Sequence, residues 1–296
     1  MAASAVGASS GLNVWKILIY VSVALMTFVF FFPFWNVVVM SFNDPMDLTR
    51  GYPTWWPRIL SIKNYQDVFS SRIIFSAFTV SLARTVVGTI VVTLFSGMLA
   101  FCLSRRDLVG GKLINSLFLF TMFFGGGLIP TYLVIRQVGL INNFLVYVIP
   151  YTVNVFYMLV MKSYYASLPQ SVEEAAVIDG CNDVQTFFVI ILPMSIPVYA
   201  AIAVYCAVGQ WNAWWDNYIY VPAPSLMTLQ LFLVKLIREA SMTMAQMGSA
   251  FVGKSTSNPL GIRMSTTVLV MLPIMLVYPF AQKYFVKGIT IGAVKG

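Results

Sequence analysis

Long apolar runs separated by short polar stretches set the pattern of this chain. A helix needs about 20 mainly apolar residues to cross a bilayer. Six stretches reach that length: roughly residues 14–40, 75–103, 113–135, 142–164, 185–209 and 265–286. The pattern predicts an all-α, polytopic membrane protein with six transmembrane helices. Helix breakers sit inside several stretches: Gly125-Gly126-Gly127 and Pro130 in the third, Pro150 in the fourth, Pro193 and Pro197 in the fifth, Pro273 and Pro279 in the sixth. Glycine and proline are tolerated in spans where neighbouring helices satisfy the freed backbone groups. The helices are therefore expected to bend or break around a central path.

Composition agrees. Of the 296 residues, 59% are hydrophobic and 9% charged, against about 25% charged in a soluble domain. One helical domain over 14–286 accounts for the length, with a flexible tail over 1–13 and a second tail over 287–296. The first residues are mostly Ala, Ser and Gly, with no basic n-region, and the apolar run after them is too long for a signal-peptide core. They read as a tail before a true span. An even number of spans puts both termini on one side with the loops 104–112 and 165–184. The long loops 41–74 and 210–264 and the short 136–141 lie on the other. Positive charge divides eight against nine between the sides, which does not orient the chain. The three cations of 104–112 favour that loop as cytoplasmic. There is no histidine, the commonest general base and metal ligand. Cys102, Cys181 and Cys206 are widely spaced. They imply neither a metal site nor a disulfide framework and read as packing residues.

Four of the ten acidic residues fall within 173–183. Ser171-Val172-Glu173-Glu174 has the form of a capping box, with the Ser171 hydroxyl on the amide of residue 174 and Glu174 reaching back. Gly180 is placed to end the helix in a left-handed conformation. The expected product is a helix of about eight residues, about 12 Å long. Val172, Ala175, Ala176 and Asp179 share one face of it. Asn182 or Asp183 then caps a helix leading into the fifth span. Two readings stand: a capped loop helix at the membrane interface, or a segment presented to another protein.

The spacing favours the second. Glu174-Ala175-Ala176, three residues, Gly180, nine residues, Ile190, one residue and Leu192-Pro193 resembles the EAA loop of ABC importer permeases. Asp179-Gly180 and Leu192-Pro193-Met194-Ser195-Ile196-Pro197 resemble the carbohydrate-uptake branch, within it the G-type subunit of maltose permeases. Ala100-Phe101-Cys102-Leu103-Ser104-Arg105 is similar to the ending of a span in that family, with Phe101 and Cys102 replacing the usual residues. Residues 285–296, ending in Val294-Lys295-Gly296, resemble its tail.

The resemblance implies a set of roles and partners. Glu173, Glu174, Ala175, Ala176, Asp179 and Gly180 would form a cytoplasmic coupling helix docked in a groove of an ATPase subunit. Ala293, Val294, Lys295 and Gly296 would reach between two ATPase subunits. A second homologous permease subunit and a periplasmic or extracellular solute-binding protein complete the assembly. ATP and magnesium would sit on the ATPases, and this chain would bind no cofactor. The location implied is the bacterial cytoplasmic (inner) membrane, with lipids around the spans and both termini cytoplasmic. Phe123-Phe124-Gly125-Gly126-Gly127-Leu128-Ile129-Pro130 looks like permeases for complex oligosaccharides, including uronate-containing ones such as alginate.

Absent motifs narrow the chemistry. No Gly-rich phosphate loop with Lys-Ser/Thr occurs, and no histidine-based triad is possible. No catalytic and no metal-ligating residues are assigned, and nothing points to nucleic acid. Apart from Lys16, Lys162 and Lys283, each within three residues of a span end, Arg84 is the one clearly ionisable residue inside a span. It is either functional, as such charges are by default, or a snorkelling side chain near the outer end; snorkelling is the plainer reading. Without acidic relays in the membrane, proton-driven transport is disfavoured.

Candidates for a substrate path follow the fifth span. In Trp211-Asn212-Ala213-Trp214-Trp215-Asp216, flat rings can stack on sugar faces and Asn212 or Asp216 can bond hydroxyls; an aromatic belt is the plainer reading. Tyr151, Asn154 and Tyr157 recur at helical spacing and line either the path or a helix contact. Residues 226–240 form an amphipathic pattern with Leu226, Leu229, Phe232, Leu233, Leu236, Ile237 and Ala240 on its apolar face, packed on the bundle or facing a solute-binding protein. The outer side, Arg84 included, has ten cations against five carboxylates, a field suited to anionic substrates. The function expected is a permease subunit that passes oligosaccharides by ATP-driven alternating access. The rivals are a membrane enzyme acting on lipid-linked sugars, for which only Asp44 and Asp47 offer paired carboxylates, and a secondary transporter.

Overall fold

The computed structural model describes residues 14–51, 55–105, 107–241 and 258–293. The expected tail over 1–13 and residues Val294, Lys295 and Gly296 lie outside these. Among the described residues no strand forms, and one bridge joins Asn43 to Leu60. The fold is all-α, with two compact units.

The first unit takes the chain up to Val68 and residues 249–268. Helix α1, Val14–Ser41, is apolar around its whole circumference and is exposed over most of its length, becoming partly buried from Trp35 and buried at Val39, Met40 and Ser41. A helix without a polar face belongs in lipid or in a core. The loop after it is organised by amide side chains. Asn43 Oδ1 accepts from the amides of Arg58 and Ile59 at 2.8 and 3.2 Å, and its Nδ2 donates to Asp47 at 2.9 Å. Asn64, in helix α2 (Lys63–Ser70), donates to the Ser41 and Asn43 carbonyls. Arg58 pairs with Asp47 at 2.7 Å. The Asn43 amide and the Arg58 guanidinium hold the Asp47 carboxyl below its ordinary value.

The second unit spans 69–248 and 269–296. Its centre is α3, Arg72–Ser104, which packs along the helices α6 and α10 defined below. The buried stripe of α3 runs through Ala77, Ser81, Gly88, Ser96 and Ala100, small residues that let helix backbones approach closely. At Gly88 a Cβ would come within 2.8 Å of the Gln210 side chain. Helices α4 (Gly111–Phe123) and α5 (Leu128–Gln137) meet at 114° across 124–127. The single third span expected from the sequence is thus a sharp turn. The reason is local: Gly127 takes φ +83°, a conformation that L side chains disfavour, and ends any continuous helix.

Helix α6, Val155–Tyr165, follows two short 3₁₀ turns at an angle of 47°. After the short α7 (Gln170–Ile178) come α8 (Asp183–Gln185), a π-helical turn over Thr186–Ile191, α9 (Leu192–Met194) and α10 (Ile196–Asn212). The bend there is 82°. Pro193 and Pro197 lack the amides that would tie this stretch into one straight helix. Helices α11 (Trp215–Tyr220) and α12 (Leu229–Ser241) complete the loop region. Leu229, Phe232 and Leu233 are buried as the amphipathic pattern implied, Leu231 joins them, and α12 packs on α3, but Leu236 is only partly buried and Ile237, expected on the same face, is 49% exposed. Helix α13 is continuous over Pro259–Ala293. Among the described residues three helices are long and apolar enough to cross a membrane, or up to six spans if each bent pair is one.

Candidate functional site

A cavity of about 440 Å³ opens in the second unit between α3, the start of α6, α10 and α11. Tyr151, Asn154, Tyr157, Asn212, Trp215 and Asp216 line it, so six of the seven residues proposed for a path converge on one space. The local reasons are visible. Asn154 caps α6, its Oδ1 accepting from the Tyr157 amide at 3.1 Å, and its own amide donates to Ser96 Oγ on α3 at 3.0 Å. That cap fixes Tyr157 one turn inside. Trp214 and Trp215 meet edge to face at 5.5 Å, and Tyr218 stacks on Trp215 at 6.0 Å. The wall is therefore rings and amides, able to stack on and hydrogen-bond a polyhydroxylated ligand.

Trp211, the seventh, is turned away. It is buried, donates its indole N–H to the Val270 carbonyl at 2.9 Å and packs edge-on to Phe78. A helical step of 100° separates it from Asn212 and puts it on the packing face of α10. Its place in the path is withdrawn.

Arg84 does not snorkel. It is 2% exposed and forms a forked pair with Asp216, at 2.9 Å from Nη1 and 2.5 Å from Nη2. Its Nε donates to Gln210 at 3.0 Å, Nη1 also reaches the Ala213 carbonyl, and the guanidinium lies 4.7 Å from the Tyr147 ring centroid. A guanidinium buried in a membrane protein needs a carboxylate and acceptors around it, and the 210–216 corner supplies all of them. Asp216 also accepts from the Asn217 amide. Instead of a free acceptor for sugar hydroxyls it is the counter-ion of Arg84, at the margin of the cavity. The signal available in the sequence was a match of opposites: one cation inside a span and one carboxylate in the aromatic segment.

The acidic segment forms a second feature. Helix α7 starts at Gln170 behind Pro169, and no side chain caps it. Ser171 lies inside the helix, so the expected capping box does not form; Pro169, preset near φ −62°, turns the chain into the helix two residues early. The other end matches the expectation. Gly180 takes φ +80°, its amide bonds the Val177 carbonyl, and the Cys181 amide bonds Ala176, a complete Schellman closure. Asn182 and Gln185 then make a reciprocal capping box at the start of α8. Of the expected alanine face, Ala176 is buried but Ala175 and Asp179 are exposed. Val177 and Ile178, which the sequence reading passed over, are 60% and 85% exposed and present the apolar surface. Arg105 ties α7 to α8, meeting Glu173 at 3.5 Å and Asp183 more closely. Glu173 and Glu174 border a groove of about 660 Å³ beside them. Ala293 ends α13.

No family model matches the chain. Over 96% of its length it is 35% identical to the polygalacturonan/rhamnogalacturonan transport system permease protein YtcP of Bacillus subtilis (strain 168), of which 99% is covered. It is also 35% identical to protein LplC of the same organism, over 89% of each chain. The fold matches a chain in a crystal structure of a bacterial ABC transporter involved in the import of the acidic polysaccharide alginate. The TM-score is 0.84 at 26% identity, covering 92% of this chain and 96% of that one. A relative at this identity across almost the whole of both sequences, on the same fold, shows that the chain belongs to the permease subunits of carbohydrate ABC importers.

Proposed function

We propose that this chain conducts an acidic oligosaccharide through the cavity at Tyr151, Asn154, Tyr157 and Trp215, and that α7 couples that movement to ATP hydrolysis on partner subunits. The observation that carries the coupling is the build of α7. It is short, closed at Gly180 by its own backbone, braced by Arg105, and ends in the exposed pair Val177 and Ile178. An amphipathic end held rigidly on two sides is suited to a groove on another protein. Glu173, Glu174, Ala175, Ala176, Asp179 and Gly180 then mark the ATPase contact. ATP and magnesium sit on two such ATPase subunits, and Ala293, Val294, Lys295 and Gly296 are assigned to the contact with them. A second permease subunit completes the path and a solute-binding protein delivers the sugar. The protein resides in the bacterial cytoplasmic membrane with α7 and both termini inside.

The acidic cargo is supported by what similar proteins carry: one belongs to a polygalacturonan/rhamnogalacturonan transport system and another to an importer of the acidic polysaccharide alginate. It is also supported by charge. Pairing Arg84 with Asp216 removes one charge of each sign, and the outer excess of five cations stays. Such a surface raises the local concentration of anions.

Co-purification with an ATPase, followed by reconstitution with the binding protein, is the deciding experiment. Gly180→Leu should leave insertion and assembly intact and cut uptake at least tenfold while ATP is still hydrolysed, because a left-handed position costs an L side chain about 1–2 kcal/mol and tilts the α7–α8 corner. Wild-type uptake in that variant would overturn the coupling role. Uronate oligosaccharides should compete with uptake where neutral malto-oligosaccharides do not. The reverse order would overturn the acidic cargo alone. A preparation that transports without any ATPase would return the secondary-transporter reading.

A further inference from the structure

Arg105 separates two cavities at the α7 end of the second unit. One is the acidic groove described above. The other, about 550 Å³, is lined by Arg105, Lys112, Lys162, Asn115, Leu103 and Leu108, with the Gly110–Gly111 backbone between them. Among the described residues no carboxylate lines it. Arg105 is committed to Glu173 and Asp183. Among the described residues neither Lys112 nor Lys162 forms an ion pair. Lys162 is instead oriented by Asn115, whose Oδ1 accepts from Nζ at 2.7 Å, leaving further N–H donors on the ammonium. Helix α4 begins at the same place with no side-chain cap, so its positive end adds to the field. Beyond the cavity Leu113, Leu117 and Phe120 are exposed on one face of α4, spaced to let an acyl chain lie along the helix.

We infer that this cavity binds the phosphate of an anionic phospholipid whose acyl chain follows the α4 face. Two ammonium groups and a helix start above an apolar track, at the end of membrane helices, match a headgroup with its tail better than a soluble phosphate. The assignment to the cytoplasmic leaflet rests on α7 being cytoplasmic; the binding chemistry does not.

The test uses the intact importer in detergent, titrated with phosphatidylglycerol or phosphatidylcholine and read by native mass spectrometry. Wild type should retain phosphatidylglycerol preferentially. Lys112→Ala with Lys162→Ala should weaken that retention about thirtyfold, each ammonium contributing about fivefold, with phosphatidylcholine unchanged. The double arginine variant should keep it. Subunit stoichiometry in the same spectra checks assembly. If the double variant does not assemble, Lys112→Ala alone, at an exposed position, should lose about fivefold. Unchanged retention overturns the site. Complete displacement by millimolar inorganic phosphate overturns the lipid assignment in favour of a free anion. Neither result bears on ATPase coupling, which the Gly180 variant tests separately.

Discussion

Arg84 and Arg105 lie along one helix and its end, and the chain treats them in opposite ways. Arg84, within α3, is sealed from solvent, forked onto Asp216 and surrounded by Gln210, the Ala213 carbonyl and the Tyr147 ring. Arg105, just past the end of α3, keeps about a fifth of its side chain exposed and spans Glu173 and Asp183. Where lipid or protein surrounds a charge, desolvation is costly and only an internal counter-ion makes it tolerable. Where water reaches, an ion pair is weak and can bridge segments that must move. The difference separates a wall from a joint. The buried pair holds the cavity margin in shape, and the exposed one braces α7 through Glu173 while leaving its Val177–Ile178 end exposed.

The largest effect should come from breaking the wall. Arg84→Met or Asp216→Leu alone leaves one buried charge without its partner and should cost about 3–5 kcal/mol, read as a lowered midpoint in detergent thermal unfolding. The double variant should recover most of that loss, because the orphan charge is gone. Single variants that melt with the wild type would show that water reaches the pair and would erase the contrast with Arg105.

A smaller effect should follow at the joint. Arg105→Ala should cost no more than about 1 kcal/mol of stability and should still lower the ratio of sugar moved to ATP hydrolysed. Raising salt should reproduce part of that change in the wild type, since exposed pairs are screened. A stability loss as large as that of Arg84→Met would mean that Arg105 is structural in the same sense.

The smallest effect sharpens the comparison with an intermediate case. Asp47 is buried but pairs with the half-exposed Arg58, and its carboxyl is held below the ordinary value of 3.8, first by Asn43 and then by Arg58. A depressed carboxylate adds stability that is present above that ordinary value and is lost as pH falls through the lower folded one. Stability of the wild type should therefore drop below about pH 4 through this site. Asp47→Asn should flatten that part of the profile. An unchanged slope in the variant would assign the acid sensitivity elsewhere.

Particular residues show how far the sequence could be read. The Gly180 stop and the Asn182 cap follow from local rules, and each appears where those rules put it; of the six apolar stretches, the first, second and sixth hold a continuous helix and the other three are bent. The burial of Leu229, Phe232 and Leu233 on α12 follows from helical period in the same way. The convergence of Tyr151, Asn154 and Tyr157 on the residues after α10 was legible only as a suspicion, since spacing places side chains on a face without saying what the face meets. Trp211 was misread because its neighbours share its chemistry, and one residue of helix rotation decides which ring lines a cavity and which packs on Phe78. Ser171 was misread because Pro169, two residues earlier, starts the helix without a side-chain cap.

The sequence by itself determined an all-α membrane protein, its apolar segments and a short polar helix closed by glycine, because hydropathy, helical period and left-handed glycine act over a few residues. Only the tertiary structure decided that Arg84 is neutralised rather than drawn to the surface, that Asp216 is its counter-ion, and that residues 124–127 turn the chain through 114°. Those outcomes depend on partners more than 100 residues away or on the angle at which two helices leave a break. Local pattern carries no record of either.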